Sequence, residues 1–271
     1  MSGEPTHAGG GVLRVVTYLV GLFIALPILV VVASSFTAAN YMTFPPEGFT
    51  LKWYGLILGD PRLRHAVRIS FTTAAITAAL AVALGIGVSL ALERYRFRGR
   101  NVLSGFVMAP LTVPSIVLAL GMIFFMTAVG LIRTMQGLVL SHLVVAMPYA
   151  VRALSASIAG VNRDIERSAA VLGAPPLVVL LRVTLPLMRP GIMAALAFSF
   201  LASFNNVTIS LFVAGPRTQT LPLEMFKMAQ EVLSPSLSAI ASSVMGFSTL
   251  VMLVLEKRFG IYGVLERQRS V

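Results

Sequence analysis

The stretch that decides the fold of this chain is a polar interruption between apolar segments, residues 160–190, GVNRDIERSAAVLGAPPLVVLLRVTLPLMRP. Helix-forming residues run over Asp164–Leu172, and Gly173 then permits a helix C-cap or a sharp turn. Two prolines restart the chain, and a second helical stretch, Leu177–Val183, follows them and ends near Pro186. The pattern predicts two short helices that meet at a glycine beside a membrane and form a docking surface.

The composition is that of an integral membrane protein. Of the 271 residues, 57% are hydrophobic and only 11% are charged, whereas a soluble domain of this size carries about 25% charge. The net charge of +11 does not indicate nucleic acid, because the basic residues lie mostly at the ends of apolar segments and in loops. Anionic lipid and membrane orientation account for them there. The chain has no Cys, which excludes disulfides.

Six segments are apolar and long enough to cross a bilayer, which takes about 20 residues. The first follows a short polar tail, and its length favours an uncleaved span over a signal peptide. The sequence therefore predicts an all-α, polytopic fold, with a six-span domain over 15–255 between tails at 1–14 and 256–271. The predicted spans are Val15–Thr37, Ile69–Leu92, Val102–Thr127, Gln136–Ile158, Gly191–Val213 and Leu237–Leu255.

The distribution of Lys and Arg orients these spans. With the N-terminus inside, the segments placed inside hold twice as many of the 21 Lys and Arg residues as the segments placed outside. Both termini, and residues 160–186, are therefore predicted to lie in the cytoplasm, where ATP is.

Signatures of catalysis are missing from the sequence. It has no G-x-x-x-x-G-K-[ST] phosphate loop, no H-E-x-x-H and no G-x-S-x-G. His142 is the only histidine in a predicted span. A lone intramembrane histidine is more often a hydrogen-bond partner in helix packing than a ligand. We therefore predict that the chain is not an enzyme and binds no metal or cofactor of its own.

The fifth predicted span is unusually polar. Polar groups in hydrocarbon are costly unless they face the bundle interior, a partner or water. The cluster predicts a solute pathway lined by amides and hydroxyls, although hydrogen bonds between helices also use such residues. On a single helix, all of these side chains except Asn205 and Thr208 share one face. The candidate pathway residues are Ser199, Ser203, Asn205, Asn206, Thr208 and Ser210.

Residues 160–190 resemble the cytoplasmic coupling motif of binding-protein-dependent ABC importer permeases. That motif reads Glu-Ala-Ala, three residues, Gly, nine residues, Ile, one residue, Leu-Pro. Its last four positions fall here on Gly, Val, Leu and Pro, but Arg167 stands in the glutamate position and Glu166 lies one residue early. An amphipathic interfacial helix with a proline turn is the alternative interpretation. The resemblance implies an ATPase-coupling role for Glu166, Arg167, Ser168, Ala169, Gly173, Val183, Leu185 and Pro186.

The stretch from Arg182 to Phe226 is similar to permeases of the spermidine/putrescine branch of these importers. In that branch, two aspartates commonly occupy the positions of Asn205 and Asn206, and carboxylates would suit a cationic amine. Neutral amides leave open a polyamine or other small solutes, such as amino-acid derivatives, opines, thiamine or phosphonates.

The resemblance implies a type I ABC importer permease in the bacterial plasma (inner) membrane. Its implied partners are a second permease subunit, two cytosolic ATPase subunits that bind ATP-Mg, and an extracytoplasmic solute-binding protein. An ion-gradient-driven secondary transporter is the alternative class, but no Asp or Glu lies in any predicted span to carry the ion. A membrane-embedded scaffold is a third class, but a scaffold predicts no polar cluster in the fifth span.

Cysteine labelling tests the predicted orientation on a clean background, because the native chain has no Cys. We expect Arg217→Cys to react with an impermeant maleimide in intact spheroplasts. Arg98→Cys should react only after the cytoplasmic side is opened, because the basic loop that contains it is placed inside. Labelling of position 217 from the cytoplasmic side alone would overturn the topology.

Overall fold

The computed structural model describes residues 9–259, and all the regular structure in that range is helical. The first helix begins inside the predicted tail 1–14, whereas most of the predicted tail 256–271 and both termini lie outside the described residues. A π-helical turn, Leu180–Thr184, joins α8 to α9. The α-helices are α1 (Gly9–Ser34), α2 (Lys52–Gly59), α3 (Pro61–Arg94), α4 (Arg100–Thr112), α5 (Ser115–Ala128), α6 (Met135–Ala159), α7 (Arg163–Val171), α8 (Pro176–Val179), α9 (Leu185–Leu187), α10 (Arg189–Phe204), α11 (Val207–Val213), α12 (Leu221–Glu231) and α13 (Pro235–Phe259).

Four of these helices, α1, α3, α6 and α13, are long and apolar enough to cross a membrane. Two more candidates are bent pairs: α4 meets α5 at 108°, and the stretch Pro176–Leu187 meets α10 at 73°. The all-α polytopic fold is thus confirmed, with up to six spans if each bent pair is one span. The predicted span Val102–Thr127 corresponds to the bent pair α4 and α5. Val113 is extended because it precedes Pro114, which disfavours helical backbone in the residue before it.

The predicted fifth span, Gly191–Val213, is also not one helix. α10 ends at Phe204 and α11 begins at Val207. Asn206 between them is extended, and its side-chain oxygen caps α11 by accepting a hydrogen bond from the Ile209 N–H at 2.8 Å. The asparagine pair is therefore a helix break, and the single-helix face expected across 199–210 does not exist.

The described residues fall into two compact units, one within 1–60 and 227–246, the other within 61–226 and 247–271. In the first unit, α1 exposes apolar side chains along its length, as a lipid-facing helix does. The segment after α1 is held by Trp53, whose Nε1–H donates to the Thr37 carbonyl at 2.8 Å. Stacking of Phe36 on Phe49, with ring centroids 5.1 Å apart, supports the same segment.

In the second unit, α3, α6 and α10 pack against one another through small residues. At Gly85 on α3, an added Cβ would meet Leu154 of α6 at 3.0 Å, and at Gly191 on α10 it would collide with Ser157 of α6. Small residues at such contacts let helices approach closely, which matters in a membrane because packing and hydrogen bonds replace the hydrophobic effect. The buried alanines of this core are Ala81, Ala146, Ala150, Ala153, Ala194 and Ala195.

A smaller apolar cluster fixes the chain after the asparagine break. Ala119 and Met126 of α5 pack there against Ile209 and Val213 of α11, and all four are buried. α11 is therefore held by α5 while α10 is held by α3 and α6, and the break between them is positioned from both sides.

Candidate functional site

Residues 160–186, called here the coupling segment, begin with a capped helix. The Asn162 side chain accepts a backbone hydrogen bond at 2.8 Å and starts α7. The helix ends in a Schellman arrangement, in which the Gly173 N–H donates to the Ala170 carbonyl at 3.0 Å and the Ala174 N–H donates to the Ala169 carbonyl at 3.1 Å. Gly173 has φ of +86°, a conformation in which any side chain is strained. The predicted glycine turn is confirmed.

The second half of the segment differs from the helix predicted over Leu177–Val183. One α-helical turn, α8, is followed by the π-turn Leu180–Thr184 and then by α9. Leu185 and Pro186 open α9, which ends at Leu187. The helix end predicted near Pro186 is therefore confirmed, and the 73° bend before α10 follows it. Val183, Leu185 and Pro186 are half-buried.

Glu166 anchors α7 to the end of α3. Its Oε2 lies 3.2 Å from Arg94 Nη2, and its Oε1 accepts a hydrogen bond from the Thr184 hydroxyl at 2.8 Å. Arg94 also donates to the Val161 carbonyl at 3.2 Å. The side chains of the pair are only 13% and 18% exposed, so salt screens this ion pair less than a surface pair. Glu166 thus holds three parts of the chain together.

The C-terminal end of α7 and the start of the next helix carry exposed apolar side chains. Val171 and Leu172 are each 87% exposed, and Leu177 on α8 is 64% exposed. Arg167 and Ser168 are exposed and Ala169 is half-buried. Docking of another chain at these side chains stays a prediction.

An open cavity of about 600 Å³ lies between α6 and the break that separates α10 from α11. No charged side chain lines it. Its polar groups are the amides of Asn205 and Asn206 and the hydroxyls of Tyr149 and Thr208, and its remaining lining residues are Val145, Phe198, Leu201, Ala202 and Val207.

The other three candidate pathway residues lie elsewhere. Ser203 and Ser210 are buried, and their hydroxyls lie 2.8 and 3.2 Å from the two ring nitrogens of His142. The buried Ser199 hydroxyl donates to the Ala146 carbonyl at 3.4 Å. These contacts tie α10 and α11 to α6, so His142 is a packing partner, as the sequence predicts.

The structure thus divides the six candidates into two groups. Asn205 and Thr208, which a single helix would have placed off the shared face, line the cavity with Asn206. The three serines bind α6 instead. A role of any of the six in a pathway stays a prediction.

Sequence reasoning missed two of the residues that shape these sites. Tyr149 had a signal, because Val145 and Tyr149 are one helical turn apart and share a face of α6. No sequence signal pointed to Arg94, because residue spacing does not show that the end of α3 lies beside a glutamate far along the chain.

Broken helices beside a cavity are a common feature of membrane transport proteins. The chain belongs to the family of binding-protein-dependent transport system inner membrane components, whose family model matches residues 82–259. It is therefore an inner-membrane ABC importer permease subunit and not an enzyme.

Relatives of known function agree with this assignment. The chain is 30% identical over 232 residues to the spermidine/putrescine transport system permease protein PotC of Escherichia coli (strain K12), covering 86% of this chain and 87% of that protein. It is 32% identical over 241 residues to the putrescine transport system permease protein PotI of the same strain, covering 86% and 85%.

Solved structures share the fold. A chain of a bacterial ABC transporter involved in the import of the acidic polysaccharide alginate matches with a TM-score of 0.70 and 16% identity, covering 96% of this chain and 99% of that one. A chain of the MetNI methionine ABC transporter in an inward-facing conformation matches with a TM-score of 0.62 and 15% identity, covering 80% and 99%. The fold is that of type I ABC importer permeases.

Two carboxylates on α7 provide a matched test of the anchor. We expect Glu166→Ala to raise hydrogen–deuterium exchange of residues 163–172, because Arg94 and Thr184 lose their shared partner. Asp164→Ala should leave that exchange nearly unchanged, since its pair with Arg167 is about three-quarters exposed and such pairs contribute at most about 1 kcal/mol. Equal exchange in the two variants would contradict the anchoring role.

Proposed function

We propose that this chain is one permease subunit of an ABC importer that takes up a small polar solute delivered by an extracytoplasmic binding protein. The observation that carries the proposal is the coupling segment, a capped helix and glycine turn with exposed Val171 and Leu172 at the end of the helix and Glu166 anchored to Arg94. Its resemblance to the family's coupling motif supports docking of an ATPase at these exposed side chains. A second permease subunit completes the channel.

Two cytosolic ATPase subunits bind ATP-Mg and drive the cycle, and this chain contributes no nucleotide site. When the ATPases close, they displace α7. Three residues, 160–162, separate α7 from α6, and Glu166 joins α7 to Arg94 of α3. Movement of α7 is therefore passed to two of the packed helices of the second unit. The spans then exchange between outward-open and inward-open states, with both termini in the cytoplasm.

The amide-lined cavity supports uptake of a small polar solute, and the candidates are a polyamine or a related amine or amino-acid-derived molecule. A polar group that loses water without gaining a partner costs roughly 2–7 kcal/mol. The Asn205 amide offers two donors and an acceptor to replace that water, and the Asn206 amide offers its two donors. PotC and PotI are named for spermidine and putrescine. Here no carboxylate lines the cavity, so a diamine would find no counter-charge in it.

Two glycines with the same strained backbone test the docking surface. Gly173 has φ of +86° and Gly99, in the loop before α4, has φ of +90°, and both have open space around them. We expect Gly173→Glu to abolish uptake and co-purification of the ATPase while the chain still inserts. A bulky charge there disturbs the turn beside the exposed apolar side chains.

Gly99→Glu is the matched control, since it brings similar strain and the same charge outside the coupling segment. It should keep most of the uptake and all of the ATPase. Normal ATPase recovery with Gly173→Glu, or equal losses in the two variants, would remove the coupling segment from the mechanism.

The two asparagines differ in what their substitution should do. Asn205 is exposed, and its amide makes no hydrogen bond with any residue in 9–259, so Asn205→Leu should lower uptake about tenfold without lowering the unfolding temperature. Asn206→Leu should lower uptake and also remove the α11 cap, at about 1 kcal/mol of stability. Aspartate at both positions keeps the cap and should shift preference toward cationic amines. Wild-type uptake by the assembled double leucine variant would show that both residues only pack.

A further inference from the structure

A second cleft, of about 830 Å³, lies between α4 and α6 near the end of α3. Unlike the neutral cavity, it is charged. Arg100, Arg152 and Glu93 line it, together with the polar side chains of Asn101, Ser104 and Ser155. Two guanidinium groups against one carboxylate leave the cleft with a net positive charge.

Arg152 is the unusual member of this set, because it lies within a membrane-spanning helix. It is seven residues from the end of α6, which is about 10 Å along the helix axis. The side chain is exposed in the cleft and forms no hydrogen bond or ion pair with any other residue in 9–259. Arg100, by contrast, is held by a 2.8 Å hydrogen bond from its Nε–H to the Leu92 carbonyl. An arginine in a polar cleft that has no partner within the described residues is available to pair with an anionic group.

The two cavities are neighbours on α6. Val145 and Tyr149 line the neutral cavity, and the charged cleft is lined by Val151, Arg152, Ser155, Ala156 and Ala159. At 3.6 residues per turn, Tyr149 and Arg152 are about 60° apart around the helix. Arg152 follows Tyr149 by less than one turn, so a solute that moves from the asparagines toward the end of α6 next meets the guanidinium.

We propose that Arg152 receives an anionic group of the transported solute, and that the solute is therefore a small amino-acid-derived zwitterion or anion rather than a diamine. Guanidinium groups bind carboxylates and phosphonates through paired, charge-assisted hydrogen bonds. Glu93 in the same cleft complements the ammonium group of a zwitterion. The inference rests on the proposed importer function, and it places the selection of the solute's charge at α6.

The first arm of the test is the chemical identity of the solute. The complete importer is purified with its binding protein, and the molecule that the binding protein releases on denaturation is identified by mass spectrometry. We expect a carboxylate or a phosphonate on that molecule. A released molecule without an anionic group, transported by the wild-type complex, overturns this inference and leaves the importer function standing. Absence of any ATP-driven uptake by the wild-type complex overturns the importer function itself.

The second arm assigns the anion to Arg152. Uptake of the identified molecule and of its amide or ester, which lacks the negative charge, is measured in proteoliposomes with the binding protein saturated by each. We expect Arg152→Gln to slow uptake of the charged molecule at least about tenfold and to abolish the preference for it over the neutral analogue. Arg152→Lys should retain part of that preference, since its point charge cannot pair bidentately.

Two controls separate this role from structural ones. Arg98→Gln removes a positive charge from the loop before α4, outside the cleft lining, and should transport at the wild-type rate. The Arg152→Gln defect should be the same in vesicles of pure phosphatidylcholine and in vesicles that contain phosphatidylglycerol. A defect confined to anionic vesicles would assign Arg152 to a lipid headgroup, and equal slowing of the charged and neutral molecules would assign it to packing. Either result overturns the inference.

Discussion

The close approach of α6 to α3 and α10 is the constraint on which the rest of the second unit depends. In lipid, the burial of apolar surface between helices contributes no hydrophobic free energy. Close packing and hydrogen bonds therefore decide which helices associate. The glycines Gly85 and Gly191 permit the contact, and the ring of His142 adds directed bonds to Ser203 and Ser210. Tyr149 and Arg152, which are exposed on α6, line the two cavities described above.

Sequence periodicity and composition predicted the parts of this protein that local chemistry controls. Apolar length located the spans, and glycine and proline signals located the turn at Gly173, because a positive φ depends on the residue itself. The proline at position 114 is a local signal for the break between α4 and α5, whereas the two asparagines are a weaker signal within a continuous apolar run. Which residues of the polar cluster face the cavity depends on the break at Asn205–Asn206.

Side-chain contacts between segments far apart in the sequence could not be predicted from the sequence. Glu166 stood out only as a motif residue one position early, and its partners Arg94 and Thr184 follow from how α3 ends beside the coupling segment. The sequence favoured a pathway role for the serines of α10 and α11 over helix packing, and the position of His142 on a neighbouring helix accounts for the contacts of Ser203 and Ser210. Tertiary geometry, rather than residue type, separated these alternatives.

The π-turn between α8 and α9 has a kinematic consequence. Such a turn holds one residue more than an α-helical turn, so its conversion to regular helix would advance the following chain by about 1.5 Å and rotate it by about 100°. Thr184, the last residue of this turn, is the one that hydrogen-bonds Glu166. We therefore expect a displacement of the coupling segment to rotate α10 about its axis as well as to translate it.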